Sequence, residues 1–273
     1  MKAVQATTLS EAWVAGLEWL LGTSDGKDIN LAVAFPATAE DPAIRDVVDR
    51  FLATRARRKP KAAVFAVDTV AGTLFPESWY VPERAADPRQ HLYKMQQRAA
   101  RVHRRITGES ETYFDRLVAY PGSTGGPVNQ LEAQVLRLQG QLRVAGPKSS
   151  AYEIGVVEPG DLRVQIPGKD RMYMGFPCLS HISLTLHGGA IHLSALYRNQ
   201  GFIRKAYGNY VGLSRIARFF ARETGSKVGE ITCLASHADA ELSVAGRRDI
   251  QELIVACRDV LGTRPICEVD RAA

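Results

Sequence analysis

The sequence predicts one α+β domain spanning residues 1–273, and three observations predict it. The chain is 273 residues long, with 45% hydrophobic and 23% charged residues, enough to bury a sizeable core. Its first half carries apolar residues mostly at helical spacing. Its second half switches to alternating, β-branched segments that end in two more helical stretches. There is no internal repeat, low-complexity run or Pro/Gly-rich linker to mark a boundary.

Taken in order, residues 8–21 read as a helix, with Ser10 available as its cap and Trp13, Leu17 and Leu20 on one face. Asp25-Gly26 marks a turn, and residues 30–35 (NLAVAF) read as a buried strand. Asp41-Pro42 starts a helix whose apolar positions are Ile44, Val47, Val48, Phe51 and Leu52, and Lys59-Pro60 ends it. Residues 62–67 (AAVFAV) read as a second buried strand. Residues 88–106 form a helix with the stripe Leu92, Met95, Ala99, Val102 and Ile106. Residues 121–127 are a loop, and the next helix points Leu131, Val135 and Leu138 inward. Strands are expected at 152–157, 162–166, 180–187 and 190–197. Gly188-Gly189 is a two-residue turn suited to a type I′ hairpin. An apolar helix over 209–223 stops at Gly225, and a strand (228–235) and a helix (247–260) follow.

Several function classes are excluded or disfavoured. No run of about 18 apolar residues exists, so no membrane span is expected. MKAVQATTLSEAW lacks the apolar core of a signal peptide. Cysteines at 178, 233, 257 and 267 are too few and too late for a disulfide scaffold, so a reduced, cytoplasmic protein is expected. Lys plus Arg exceeds Asp plus Glu by 35 to 29, a mild excess that suits an anionic small molecule and argues weakly for nucleic acid. The run Arg55 to Lys61 has no interleaved aromatic residue and reads as a solvated helix end rather than a polynucleotide patch.

Motifs for phosphate loops, zinc proteases, paired-cysteine sites and serine hydrolases are absent. His181, His187 and His192 cluster only because they share a hairpin, which argues against a metal site. The local anomaly is Gly175-Phe176-Pro177-Cys178 at the hairpin mouth. A lone cysteine is most often a small core hydrophobe. With His187 paired to Ala190, however, Cys178 falls opposite Asn199, with Arg198 next to it. A guanidinium near a thiol favours the thiolate and can hold a substrate anion. In a regular strand Arg198 would face away, and a bulge is needed to bring the two together.

Cys178 through Gly229 resembles, without a gap, the C-terminal half of thymidylate synthases and their hydroxymethylase relatives. Pro177-Cys178 is similar to the nucleophile dipeptide and Gly189 to the hairpin glycine. Arg198 resembles the phosphate-binding arginine and Asn209 the asparagine that reads the pyrimidine edge. Val228-Gly229-Glu230 resembles the start of the next strand. In the N-terminal half, NLAVAFP and IRDVVDRFL resemble the opening strand and helix, Tyr113 of ETYFDR the family tyrosine, and Asn129-Gln130-Leu131 the D-Q-L helix start. The resemblance implies a single thymidylate synthase-like domain with a mixed, twisted sheet flanked by helices. It also implies a homodimer with two sheets face to face.

The departures point away from housekeeping dTMP synthesis. Leu179 replaces the histidine after the nucleophile, Asn199 the phosphate-site serine, and Gly201 an aspartate. Asp239 and Glu241 stand where the sugar-binding histidine and tyrosine belong. Lys148-Ser149-Ser150 replaces the paired arginines lent across the dimer, and the N-terminal arginine loop is missing. The early-helix glutamate falls at Val47, with Asp46 and Asp49 beside it. Each lost charge-assisted contact is worth about 1.5–3 kcal/mol, so affinity for dUMP should fall by orders of magnitude.

The resemblance then implies a one-carbon transferase acting at C5 of an unusual pyrimidine nucleotide, nucleoside or related heterocycle. Cys178 would be the nucleophile, Tyr113 would assist proton transfer, and Asp46 or Asp49 would replace the lost carboxylate. Arg198, Asn199, Asn209, Asp239 and Glu241 would bind the substrate. The co-substrate would be 5,10-methylenetetrahydrofolate, and the product methyl or hydroxymethyl. Two other uses stay open: a ligand-binding homologue without chemistry, and a nucleic-acid binder using the basic helices.

Overall fold

The structure is a computed structural model that describes residues 2–37, 40–107, 112–122, 125–158 and 177–262. The chain begins with β1 (Lys2–Gln5), α1 (Leu9–Leu21), β2 (Lys27–Pro36) and α2 (Pro42–Arg58). A 3-10 turn (Pro60–Ala62) leads to α3 (Val67–Leu74), α4 (Pro88–Thr107) and α5 (Tyr113–Val118). The two-residue strands β3 (Tyr120–Pro121) and β4 (Pro127–Val128) pair ahead of α6 (Gln130–Gln141). Then come β5 (Tyr152–Gly155), β6 (Leu179–His187), β7 (Ala190–Tyr197) and β8 (Gln200–Gly201). A π-helical turn (Phe202–Ala206) runs into α7 (Tyr207–Thr224), followed by β9 (Lys227–Asp239) and α8 (Arg247–Leu261). The expected strand at 162–166, Gly175-Phe176 and Cys267 lie outside the described residues.

The expected α+β class with a mixed sheet flanked by helices is what forms. The sheet order is β1-β2-β9-β7-β6-β5, with β8 paired to β9. β1 with β2 and β7 with β9 run parallel, while β2 with β9, β5 with β6 and β6 with β7 run antiparallel. Alternation decides the two faces. Leu31, Val33, Phe35, Leu193, Ala195, Ile231 and Cys233 are buried beneath the helices. The opposite face carries Ala32, Ala34, Ser183, Thr185, Ser194, Leu196, Thr232 and Leu234, none of them buried. On that face Leu196 is 40% exposed.

The β6–β7 hairpin forms as expected. Gly188 and Gly189 take φ of +58° and +74°, the left-handed pair that a two-residue turn demands, and His187 pairs with Ala190. The register expectation needs one correction. Pairing shifts between Leu179 and His181, so Leu179 sits opposite Tyr197. The amide of Arg198 donates to the carbonyl of Cys178 at 2.8 Å, which places Arg198 rather than Asn199 across from Cys178. Ser180 is the extra residue, and its carbonyl accepts from the amides of Val156 and Val157 at 3.1 and 3.3 Å. This is the bulge that the pairing of Cys178 with Arg198 required.

Three further expectations are corrected. The cap of α1 is Thr8, which accepts from the Glu11 amide at 3.1 Å. Ser10 is instead fully buried, bonded to the Tyr207 hydroxyl (2.8 Å) and the Asp41 amide (2.9 Å). Residues 62–67 are not a strand. The chain turns through the 3-10 segment and a left-handed Ala63 (φ 50°), and α3 starts at Val67. Its buried residues Val67, Val70, Ala71 and Leu74 follow the helical period. Gly208 and Gly212 of α7 offer no side chain there, so α3 packs within backbone reach of α7. Finally, the apolar stripe of α4 is buried at Leu92, but Val102 is 55% exposed.

Candidate active site

A cavity of about 290 Å³ opens where the C-terminal end of β9, the π-helical turn and the start of α7 meet α3, α5 and the mouth of the hairpin. That is the low end of the range for small-molecule pockets, room for one heterocycle and its substituent. Tyr113, Cys178, Asn199, Asn209, Asp239 and Glu241 all line it, brought together from four stretches of sequence. Arg204, Lys205, Thr73 and Val70 line it as well.

Cys178, Tyr113 and Asn209 form one set of lining groups. Cys178 is half-buried, just before β6. Tyr113 is the first residue of α5, whose start is fixed by a capping box. Thr112 accepts from the Asp115 amide (3.2 Å), and Asp115 accepts from the Thr112 amide (2.7 Å). That cap aims the phenol at the hairpin mouth, where its oxygen accepts from the Leu179 amide at 3.4 Å. Burial, then the nearby Cys178 sulfur, push the Tyr113 pKa above its usual 10.0, while the Leu179 and Cys178 amides and Arg198 pull against them. At neutral pH the phenol keeps its proton and can donate it.

Asn209 lies in the first turn of α7 and is 3% exposed. Its Oδ1 is buried without a hydrogen-bond partner. Leaving such an acceptor unpaired costs about 1–3 kcal/mol. An amide that lines a cavity and lacks an internal partner is set up to bind something that enters the cavity.

In a second set of lining groups the polar atoms are already paired. Glu241, 6% exposed and at φ +59°, accepts from the Arg204 amide at 2.7 Å and from Arg204 Nε at 2.6 Å. The same guanidinium donates to the Ala62 carbonyl at 2.9 Å. A Cβ at position 201 would collide with the Glu241 carboxylate, so Gly201 is the condition for this pair. Asp239 accepts from the Glu241 amide at 2.6 Å and lies 3.7 Å from Lys27 Nζ. Asn199 Oδ1 lies 2.7 Å from His237 Nδ1, on the exposed rim. The carboxylates at 239 and 241 are therefore in the pocket, but Glu241 serves first to anchor Arg204.

Two of the expected site residues are placed elsewhere. Asp46 is exposed on α2 and does not line the cavity. Its neighbour Asp49 is held by Arg45 Nε (2.6 Å) and by the Val67 amide (3.2 Å), so no α2 carboxylate reaches the site. Arg198 does not line it either. Its Nε donates to the Pro177 carbonyl at 3.1 Å and its backbone amide to the Cys178 carbonyl at 2.8 Å, so Arg198 holds the backbone at Pro177 and Cys178. Arg204 and Lys205 were missed in the sequence. The available signal was a pair of cations inside the otherwise apolar run FIRKAY, four and five residues before Asn209.

Among the described residues no group of three or more His, Cys, Asp and Glu could hold a metal, and no helix is long and apolar enough to cross a membrane. No family model matches the chain, and no curated protein matches it.

Proposed function

We propose that the chain is a divergent thymidylate synthase-like one-carbon transferase that acts on C5 of a pyrimidine-like ring. The observation that supports this reading best is the unpartnered, buried Asn209 Oδ1 in the same cavity as Cys178 and Tyr113. A lactam edge offers the N–H that Oδ1 lacks, and ring binding there would set C6 against the thiol. In this mechanism Cys178 gives up its proton to solvent and the thiolate adds to C6. The C5–C6 electron pair moves toward the ring carbonyl, leaving C5 nucleophilic. After C5 has taken up a one-carbon unit and lost its proton, expulsion of the thiolate restores the double bond. Tyr113, held protonated, donates to and recovers from the ring system. Arg198 acts as a positioning residue for the Cys178 backbone.

The one-carbon unit would come from 5,10-methylenetetrahydrofolate, with hydride transfer giving methyl and water giving hydroxymethyl. The described cavity has the size for the substrate ring and its substituent and not for a folate as well. A second copy of the chain is the partner we propose for the open sheet face, with Leu196 and Leu234 at its apolar centre and a cytoplasmic setting for the pair. A second reading, ligand binding without chemistry, is favoured by the absence of an α2 carboxylate from the cavity.

The deciding experiment is intact-mass spectrometry of the protein with 5-fluoro-dUMP, 5-fluoro-UMP and the 5-fluoro nucleosides, with and without methylenetetrahydrofolate. The transferase reading expects an adduct that disappears in Cys178→Ala. Reversible binding with no adduct in any combination would instead establish the binding-only reading.

A further inference from the structure

We infer that Lys205 is the specificity-determining residue of the cavity, and that it selects a substrate whose ring substituent ends in a single negative charge of the carboxylate type. This rests on the pyrimidine reading above and names the substrate class within it.

The charges of the cavity wall carry the inference. Four lining residues are ionic: Arg204, Lys205, Asp239 and Glu241. Arg204 and Glu241 neutralise each other through two hydrogen bonds, and Arg204 turns its Nη1 to a backbone carbonyl. Asp239 accepts from the Glu241 amide and faces Lys27. Lys205 has no carboxylate within ion-pair distance among the described residues. Its ammonium sits 5.3 Å from the centre of the Phe65 ring, a side chain that is itself 46% exposed. Among the described residues the wall therefore offers one cation that a ligand can pair with.

The number of negative charges follows from the neighbours. A phosphate dianion pairs one of its charges with Lys205 and leaves the other in a wall that also holds Asp239, whose only ion-pair partner among the described residues, Lys27, stands 3.7 Å away and is itself half exposed, so like charges repel. A carboxylate pairs once and leaves nothing uncompensated. Lys205 is exposed at the cavity wall; desolvation and then the Arg204 charge lower its pKa, while Glu241 and the Cys178 sulfur act the other way. Lys205 and the acceptor Asn209 lie one turn apart where the π-helical turn enters α7, so one rigid element presents both recognition groups.

The test is calorimetric titration at pH 8 of the wild-type chain, Lys205→Met and Lys205→Arg with three probes: uridine, uridine 5′-carboxylate and UMP. The expected result is that the wild type binds the carboxylate about tenfold or more tighter than uridine, one charge-assisted contact in a half-open site, and UMP no tighter than the carboxylate. Lys205→Met removes that advantage while leaving uridine binding and the melting temperature unchanged, and Lys205→Arg keeps it. A carboxylate-to-uridine ratio that Lys205→Met leaves alone, or UMP binding tightest in the wild type, overturns the role of Lys205 and leaves the pyrimidine reading standing. Binding of none of the three probes overturns the pyrimidine reading itself, and this inference with it.

Discussion

The two sets of groups that line the cavity are built on opposite terms. Around Cys178, Tyr113 and Asn209 the polar groups are under-used: one buried amide oxygen has no partner, and the phenol oxygen accepts from the Leu179 amide at a long 3.4 Å. Around Glu241 and Arg204 the groups are fully used by one another and by the backbone. The first set gives up folding energy that a ligand can recover. The second set spends charged groups on architecture and, among the described residues, leaves Lys205 over. A residue lining a pocket is therefore not by that fact a ligand-binding residue; what its polar atoms already touch decides.

The sharpest way to break this contrast is Glu241→Ala. If the pair is architectural, the variant loses about 2–3 kcal/mol, less than a fully buried pair would because Arg204 is 36% exposed. Denaturant unfolding reads this directly. A stability equal to wild type would move Glu241 to the ligand-binding class. Gly201→Ala tests the same joint from the other side. The new methyl displaces the carboxylate and should cost about 1–2 kcal/mol, and little of this should remain when the substitution is made in the Glu241→Ala background.

Asn209→Ala should show the reverse pattern. Its Oδ1 has no internal partner to strand, so stability should change by only about 1 kcal/mol, while affinity for a pyrimidine falls at least about tenfold. A large loss of stability with unchanged affinity would place Asn209 with the architecture. The smallest effect concerns the thiols. Cys233 and Cys257 are buried, with pKa values pushed up from 9.0 to about 12 by burial. Their folded-state pKa exceeds the unfolded one, so their contribution to stability is intact below pH 9 and drains away as pH climbs toward 12. Melting temperature should fall over that window. Iodoacetamide labelling at pH 8 should modify Cys178 and spare Cys233 and Cys257, as peptide mass mapping would report.

Much of the fold could be read because its signals are local. The Gly188-Gly189 turn, the Asp41 cap and the alternation of β6 and β7 each act within a few residues. Residues 62–67 misled because six apolar residues without a marked period fit either a strand or the edge of a helix. The real period starts at Val67, and the space for that helix is made by Gly208 and Gly212, far along the chain. The Ser180 bulge is a tertiary matter too: alternation says which face a residue takes, not where a strand slips. In the site, Cys178 and Asn209 were legible through their resemblance to a known pattern. Asp46 was not, because its exposure depends on how α2 is rotated. Glu241 was expected to meet a ligand, and only the structure reveals that Arg204 reaches it first.

The π-helical turn at Phe202–Ala206 has a consequence for how this chain tolerates change. Its hydrogen bonds span one residue more than those of an α-helix, so it holds a spare residue in the run from β8 to α7. Deleting one residue there, for example Lys205, would let the coil relax to ordinary α-helix without rotating α7, and Asn209 would keep its phase. Deleting one residue after Asn209 would turn the rest of α7 by about 100° and scramble the core. The turn thus works as a slack loop in a reading frame. Residues can enter or leave the cavity wall at this point while the packed helix behind it stays in register.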